Sequence, residues 1–188
     1  VLSSRSGRVG GVGIDAVKSA TMCVSASDVG DAGDARALLV RESLVGVLHA
    51  AGVLQDKMLR STASNAVDAV FAPKALAASH VRATVLHAPL EAFGLFSSVA
   101  STFGNIGQSN YAAANAYLDA LARSHRYHGS LISSLQIPAV SGSGMGATTF
   151  NDEQLESMGA VSLDEFASCL LVSLAPARAV TERTLAPL

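Results

Sequence analysis

Along this chain, short apolar runs alternate with stretches in which apolar residues recur at helical spacing. Residues 1–4 (VLSS) read as a strand, followed by a glycine-rich connection over 6–13 and no convincing helix before residue 19. A second strand over 21–25 is closed by Ser27, Asp28 and Val29. Ala, Leu and Val then take helical spacing over 31–42 behind an acidic first turn. Residues 45–49 have the unbroken apolarity of a buried strand. Ala50, Ala51 and Gly52 after it let the backbone turn tightly and admit a flat ligand. Helical spacing returns over 63–70, Pro73 restarts the helix, and residues 74–87 carry it on.

The most informative stretch is 95–119, LFSSVASTFGNIGQSNYAAANAYLD. An apolar run over 93–96 ends in Ser97 and Ser98, a glycine-punctuated loop follows, and a helix runs from Tyr111 to near Gly129. Another strand is expected over 131–137, then Pro138 and the flexible SGSGMG segment, with a lid over residues 145–160. Two helices follow, over 153–158 and 162–175, the second opening with Ser162 and Glu165 in capping-box order, and a last strand is read over 179–185. Strands alternating with helices, with no repeat or low-complexity tract, predict one α/β domain over 1–188 built on a doubly wound parallel sheet of about six strands.

Composition narrows the function. At 188 residues, 49% hydrophobic and 15% charged, the chain has enough apolar surface for a core. A formal net charge of -2 and the lack of any basic run interleaved with aromatics argue against a nucleic-acid partner. No apolar run reaches the roughly 18–20 residues that cross a bilayer, and the first residues lack signal-peptide order, so a soluble, cytoplasmic location is expected. Cys23 and Cys169 form no metal-ligand spacing with the five histidines and are expected as buried free thiols, with no metal site.

Candidate chemistry gathers in the 95–119 stretch. Tyr111 and Asn115 stand one helical turn apart on one face, and the loop folds Ser98 back toward them at the carboxyl end of a strand, where open α/β sheets place their sites. Taken singly, each has a plain structural reading: a packing tyrosine, a solvated asparagine, a serine at a strand-end turn.

The order of several runs is more specific. SRSGR at 4–8, HAAGVLQD at 49–56, APK at 72–74, FSS at 96–98 and GQSNYAAANAYLD at 107–119 together resemble the ketoreductase domain of modular polyketide synthases, in the short-chain dehydrogenase/reductase superfamily. The resemblance covers nearly the whole chain. It implies a Rossmann-like fold and NADPH-dependent reduction of a β-ketoacyl group, carried on an acyl carrier protein by a phosphopantetheine arm, in polyketide or fatty acid biosynthesis beside neighbouring synthase domains.

It also implies a catalytic set of Lys74, Ser98, Tyr111 and Asn115, with the lysine upstream of the tyrosine and Asn115 four residues after it. Ketone reduction builds negative charge on oxygen, which needs hydrogen-bond donors and then a proton, and Ser98 and Tyr111 can supply both. In that pattern Lys74 favours the phenolate and binds the nicotinamide ribose, while Asn115 holds Lys74 and an ordered water. Arg5 and Ser6 stand where a carboxylate would select NAD, so the 2′-phosphate of NADPH is favoured. Asp28 and Val29 are expected beside the adenine, Ala50, Ala51 and Gly52 beside the adenosine ribose, and Pro138 at the nicotinamide.

For substrate and stereocontrol the pattern points to Asp56, Leu95 and Met145. Leu54, Gln55 and Asp56 keep the last acid of the B-type motif, and Leu95 stands where the other type has tryptophan, so a D-configured alcohol is favoured. Two departures accompany the resemblance. The family's first strand, TGxxGxxG loop and first helix are missing, so the chain is expected to be N-terminally incomplete; GRVGGVG at 7–13 has the wrong spacing and reads as a connecting loop. Ile137 and Pro138 stand where relatives often have Trp and Gly. The other reading kept open is a noncatalytic, reductase-like scaffold domain, or a fragment inactive on its own; a more distant one is a short-chain reductase of free small molecules.

Overall fold

A computed structural model describes residues 1–6, 23–40, 44–142, 151–157 and 159–174. Five strands are described, all pairing in parallel: β1 (Leu2–Ser4) with β2 (Val24–Ala26), and β3 (Gly46–His49) with β4 (Ala92–Ser98), which pairs on its other side with β5 (Ile132–Ile137). Parallel neighbours require crossovers, and between β3 and β4 and between β4 and β5 helices supply them. The described helices are α1 (Ala32–Leu39), α2 (Ser64–Phe71), α3 (Ala77–Thr84), α4 (Ala100–Phe103), α5 (Ser109–Tyr127), α6 (Asp152–Ser157) and α7 (Leu163–Leu174).

Alternation along β4 assigns its two faces. Phe93 and Leu95 point to one side and join Val81, Leu118, Ala122 and Ile132 in the core beneath α3 and α5. On the other side Gly94 approaches Leu174 of α7, and the Phe96 ring meets Phe166 of α7 edge to face at 5.8 Å. Helices on both faces of a parallel sheet make this a doubly wound α/β architecture, as the sequence pattern predicts. The register of β4 with β5 sets Leu95 opposite Ser134 and Ser97 opposite Gln136, which brings polar side chains under α5 at the carboxyl ends of the strands.

Local signals explain most element ends. Asp31 caps α1, accepting from the Asp34 N–H at 2.9 Å, and Ser162 and Glu165 form the expected capping box at α7. Three features differ from the sequence reading. Pro73 does not restart the helix: α2 continues through a π-helical turn (Ala72–Leu76) directly into α3, which stops at Thr84 rather than residue 87. A proline without an N–H is accommodated where the ladder widens, and the added residue rotates α3 about the helix axis relative to α2. The stretch after Ser98 contains the short α4. Cys23 and Cys169 are exposed rather than buried; on α7 it is Phe166, Leu170 and Leu174 that turn toward the sheet. The strand read over 179–185 and the glycine-rich run at 7–13 lie outside the described residues. Among the described residues, no helix is long and apolar enough to cross a membrane.

Candidate active site

Three elements converge at the carboxyl end of β4. The strand ends in Ser98, α5 begins at Ser109, and the π-helical turn between α2 and α3 carries Lys74. The loop between α4 and α5 reverses through Gly107, at φ +78°, a conformation that disfavours side chains. It is pinned across the site by the Lys57 N–H donating to the Gly107 carbonyl at 2.8 Å. Gln108 Nε2 donates to Asp56 Oδ2 at 2.8 Å, and Asn110 Nδ2 donates to the Gln55 carbonyl at 3.2 Å, so residues 55–57 and the start of α5 are one hydrogen-bonded unit.

Within this frame Lys74, Ser98, Tyr111 and Pro138 line a single cavity of about 470 Å³ with Ala50, Leu54 and Phe103. Lys74 is buried, and its ammonium donates to the Phe96 carbonyl at 2.9 Å while lying 5.4 Å from the centre of the Tyr111 ring. Burial lowers its pKa from 10.5 to about 8, with Asp119 opposing that shift. Burial raises the Tyr111 phenol above the ordinary tyrosine value, and side-chain hydrogen bonds with Asn115 and Ser98 work against it. Lys74 is thus held beside the ring by a backbone acceptor, and hydrogen bonding by Asn115 and Ser98 also favours the phenolate. Ser98 Oγ accepts from the Ala100 N–H at 3.2 Å, so the hydroxyl proton remains to be donated elsewhere.

Asn115 is fully buried; its Nδ2 donates to the Tyr111 carbonyl at 2.9 Å and its Oδ1 has no partner among the described residues. A buried carbonyl oxygen without a donor costs about 1–3 kcal/mol; Asn115 itself lies behind the cavity lining and does not border it. Leu95 lies in the core, on the strand face beneath α5, and does not line this cavity, so any influence on the site passes through packing. Met145 and the adjoining part of the expected lid lie outside the described residues.

A second, larger hollow of about 830 Å³ lies between the edges of β1 and β3, which pair with no further strand on that side among the described residues. Arg5, Asp28, Val29, Ala50, Ala51 and Gly52 line it, and Ser6 sits exposed just beyond. Ala50 borders both hollows. The hollow runs the whole length of both strands, and only its carboxyl-end part, at Arg5, Asp28, Val29 and Ala50 to Gly52, lies where open parallel sheets hold a ligand. Gly52 is close enough to Lys74 that a Cβ there would meet Lys74 Cε at 2.9 Å, so the glycine makes room for the lysine stem.

Two residues that sequence reasoning missed belong to the site. His49 Nε2 donates to the Lys74 carbonyl at 3.1 Å and is buried. Asp119 accepts from Ser134 Oγ at 2.6 Å, Ser101 Oγ at 2.7 Å and Gln136 Nε2 at 2.8 Å. The available signals were the histidine opening HAAG and the aspartate two turns after Tyr111 on the same helical face.

Residues 1–142 match the family model described as KR domain. A solved structure of A-type ketoreductases from a modular polyketide synthase is 31% identical, with TM-score 0.81, covering 92% of this chain and 39% of that one. Polyketide synthase GfsA of Streptomyces halstedii is 51% identical over 92 residues, 49% of this chain and 1% of that protein. The spectinabilin polyketide synthase system protein NorA' of Streptomyces orinoci is 42% identical over 135 residues, 65% of this chain and 4% of that protein. The chain thus spans only a few per cent of these curated relatives.

Proposed function

Because this chain belongs to the KR domain family, the ketoreductases of modular polyketide synthases within the short-chain dehydrogenase/reductase superfamily, we propose that it reduces a β-ketoacyl group to the β-hydroxyacyl, with NADPH as reductant and an acyl carrier protein presenting the substrate. The observation that carries the reading is the meeting of Lys74, Ser98 and Tyr111 around one cavity, with the unpartnered Asn115 Oδ1 behind Tyr111.

NADPH would supply the hydride; at the carboxyl ends of the strands Arg5 would meet its phosphate, Asp28 and Val29 its adenine, Ala50 to Gly52 its adenosine ribose and Pro138 its nicotinamide. Ser98 and Tyr111 orient the ketone oxygen through their hydroxyl groups and stabilise charge growing there. Tyr111 then gives its proton to that oxygen. Lys74, charged below about pH 8, stabilises the phenolate left behind, and Asn115 Oδ1 accepts from a water that returns the proton. Asp56, held by Gln108, is the remaining acid of the B-type motif and would favour the D-configured alcohol. Neighbouring synthase domains are the expected physical context.

Two measurements test this. NADPH fluorescence changes on binding, and NADPH is oxidised with a carrier-bound β-ketoacyl substrate faster than with a free ketone. Tyr111→Phe keeps the binding signal while the rate falls roughly a hundredfold or more. Binding without any oxidation would leave a noncatalytic domain, and equal turnover of free ketones would remove the carrier from the proposal.

A further inference from the structure

The π-helical turn that carries Lys74 is poorly supplied with donors of its own. Pro73 brings no N–H to the ladder, and the Ala77 N–H is shared between the Ala72 and Lys74 carbonyls. A donor from outside the helix makes up the difference. His49, the last residue of β3, is buried and reaches the Lys74 carbonyl with Nε2 at 3.1 Å.

That bond fixes the state of the ring. A carbonyl only accepts, so Nε2 carries the proton; burial lowers the pKa to about 4, so the ring is uncharged at neutral pH. Neutral His49 has one N–H, and the Lys74 carbonyl takes it. The chain just after β3 meets the lysine a second time, since a Cβ on Gly52 would stand 2.9 Å from Lys74 Cε. At the far end of the side chain Nζ donates to the Phe96 carbonyl at 2.9 Å. Main chain, stem and ammonium of Lys74 are thus each set by a separate contact.

We propose that His49 is a positioning residue of this site: its ring N–H pins the main chain of the π-helical turn and so sets where the Lys74 ammonium stands beside Tyr111. The inference rests on Lys74 being a site residue, as the proposed function has it. His49 borders the larger hollow and not the cavity that Lys74, Ser98 and Tyr111 line, so it acts through the turn and touches no reacting group.

The sequence has five histidines and three lysines. The His49 ring nitrogens and the Lys74 ε-carbon can therefore be followed by NMR in the whole chain, identified by their loss in His49→Gln and Lys74→Arg. At pH 7 the parent protein shows His49 neutral with its proton on Nε2; a proton on Nδ1 instead, or a charged ring, overturns the proposal. His49→Gln keeps an N–H donor at similar reach, and His49→Leu has none. In His49→Leu the ammonium leaves the Phe96 carbonyl for water, and the Lys74 midpoint rises from about 8 toward 10.5, by roughly half a unit or more; in His49→Gln it stays near the parent value. Because the ring is uncharged in this range, that movement reports position and not a lost charge. His128→Gln, at an exposed histidine, leaves the midpoint unmoved. His49→Asn, too short to reach the carbonyl, serves if His49→Leu does not fold. A Lys74 midpoint unchanged in whichever of the two folds overturns the proposal. In turnover, His49→Leu lowers kcat by roughly tenfold or more with KM for the carrier-bound substrate unchanged, and His49→Gln retains most of the rate; equal losses in both variants overturn it. Absence of ketone reduction by the parent protein would sink the functional reading and leave both resonances readable.

Discussion

His49 shows how much a single buried side chain decides at this site. Burial lowers its pKa from 6.5 to about 4, the Lys74 carbonyl pulling the other way and the Lys74 charge adding to the fall. A depressed histidine means that the unfolded chain takes up a proton first. Stability is therefore unaffected above about pH 6.5 and erodes as pH falls toward 4, by about 3 kcal/mol in total. Thermal melts should drop between pH 6.5 and 4.5, and His49→Gln should flatten that slope; an equal slope in both proteins would show that His49 is not the titrating group. Gly52→Ala tests the lysine beside it. The added Cβ, 2.9 Å from Lys74 Cε, pushes the ammonium off the Phe96 carbonyl, and ketone reduction should fall at least tenfold with little change in melting temperature. At this scale the sequence offered Lys74, Ser98, Tyr111 and Asn115 only through the order of runs in which the chain resembles the ketoreductases. It could not display the bond from Lys74 to Phe96 or the donors on Asp119, because these depend on how β4 and β5 align.

Helix α5 turns those residues into a constellation. Its inner face carries Tyr111, Asn115, Leu118 and Ala122 at steps of four, three and four. Leu118 is fully buried among Phe93, Leu95 and Ile132 and anchors the helix to the sheet. Leu118→Ala should cost about 2–5 kcal/mol in denaturant unfolding, whereas Tyr127→Ala, on a side chain 88% exposed, should stay within about 0.5 kcal/mol. Comparable losses would mean that the helix is held by something other than this face. Hydrophobic period made α5 and β4 legible in advance. The π-helical turn was not, since a proline inside a helical pattern ordinarily reads as an interruption; here the helices on either side are anchored by their own buried residues, Val70 before it and Ala77, Ala78 and Val81 after it, and the extra residue is absorbed in the turn that holds Lys74.

Across the whole molecule, the edges of β1 and β3 border one hollow, and its lining at the carboxyl ends of the strands divides by charge. Arg5 lies on the β1 side, after a strand that contributes no acid, and Asp28 lies at the end of β2 with Oδ1 already accepting from the Gly30 N–H at 3.0 Å. A carboxylate so occupied is a weak competitor for ribose hydroxyls, while an exposed guanidinium is free in geometry to pair bidentately with a phosphate. Alternation of strands and helices made the parallel pairing readable from sequence, but not that the described strands fall into two sheets rather than one of about six, nor that Ala50 borders both hollows. The consequence is measurable as cofactor choice. Hydrogen bonds to a charged partner contribute about 1.5–3 kcal/mol, so Arg5→Ala should weaken NADPH roughly tenfold or more while leaving NADH, which has no 2′-phosphate, nearly unchanged. If both cofactors weaken equally, Arg5 supports the cleft rather than reading the phosphate, and the preference for NADPH must come from another residue along it.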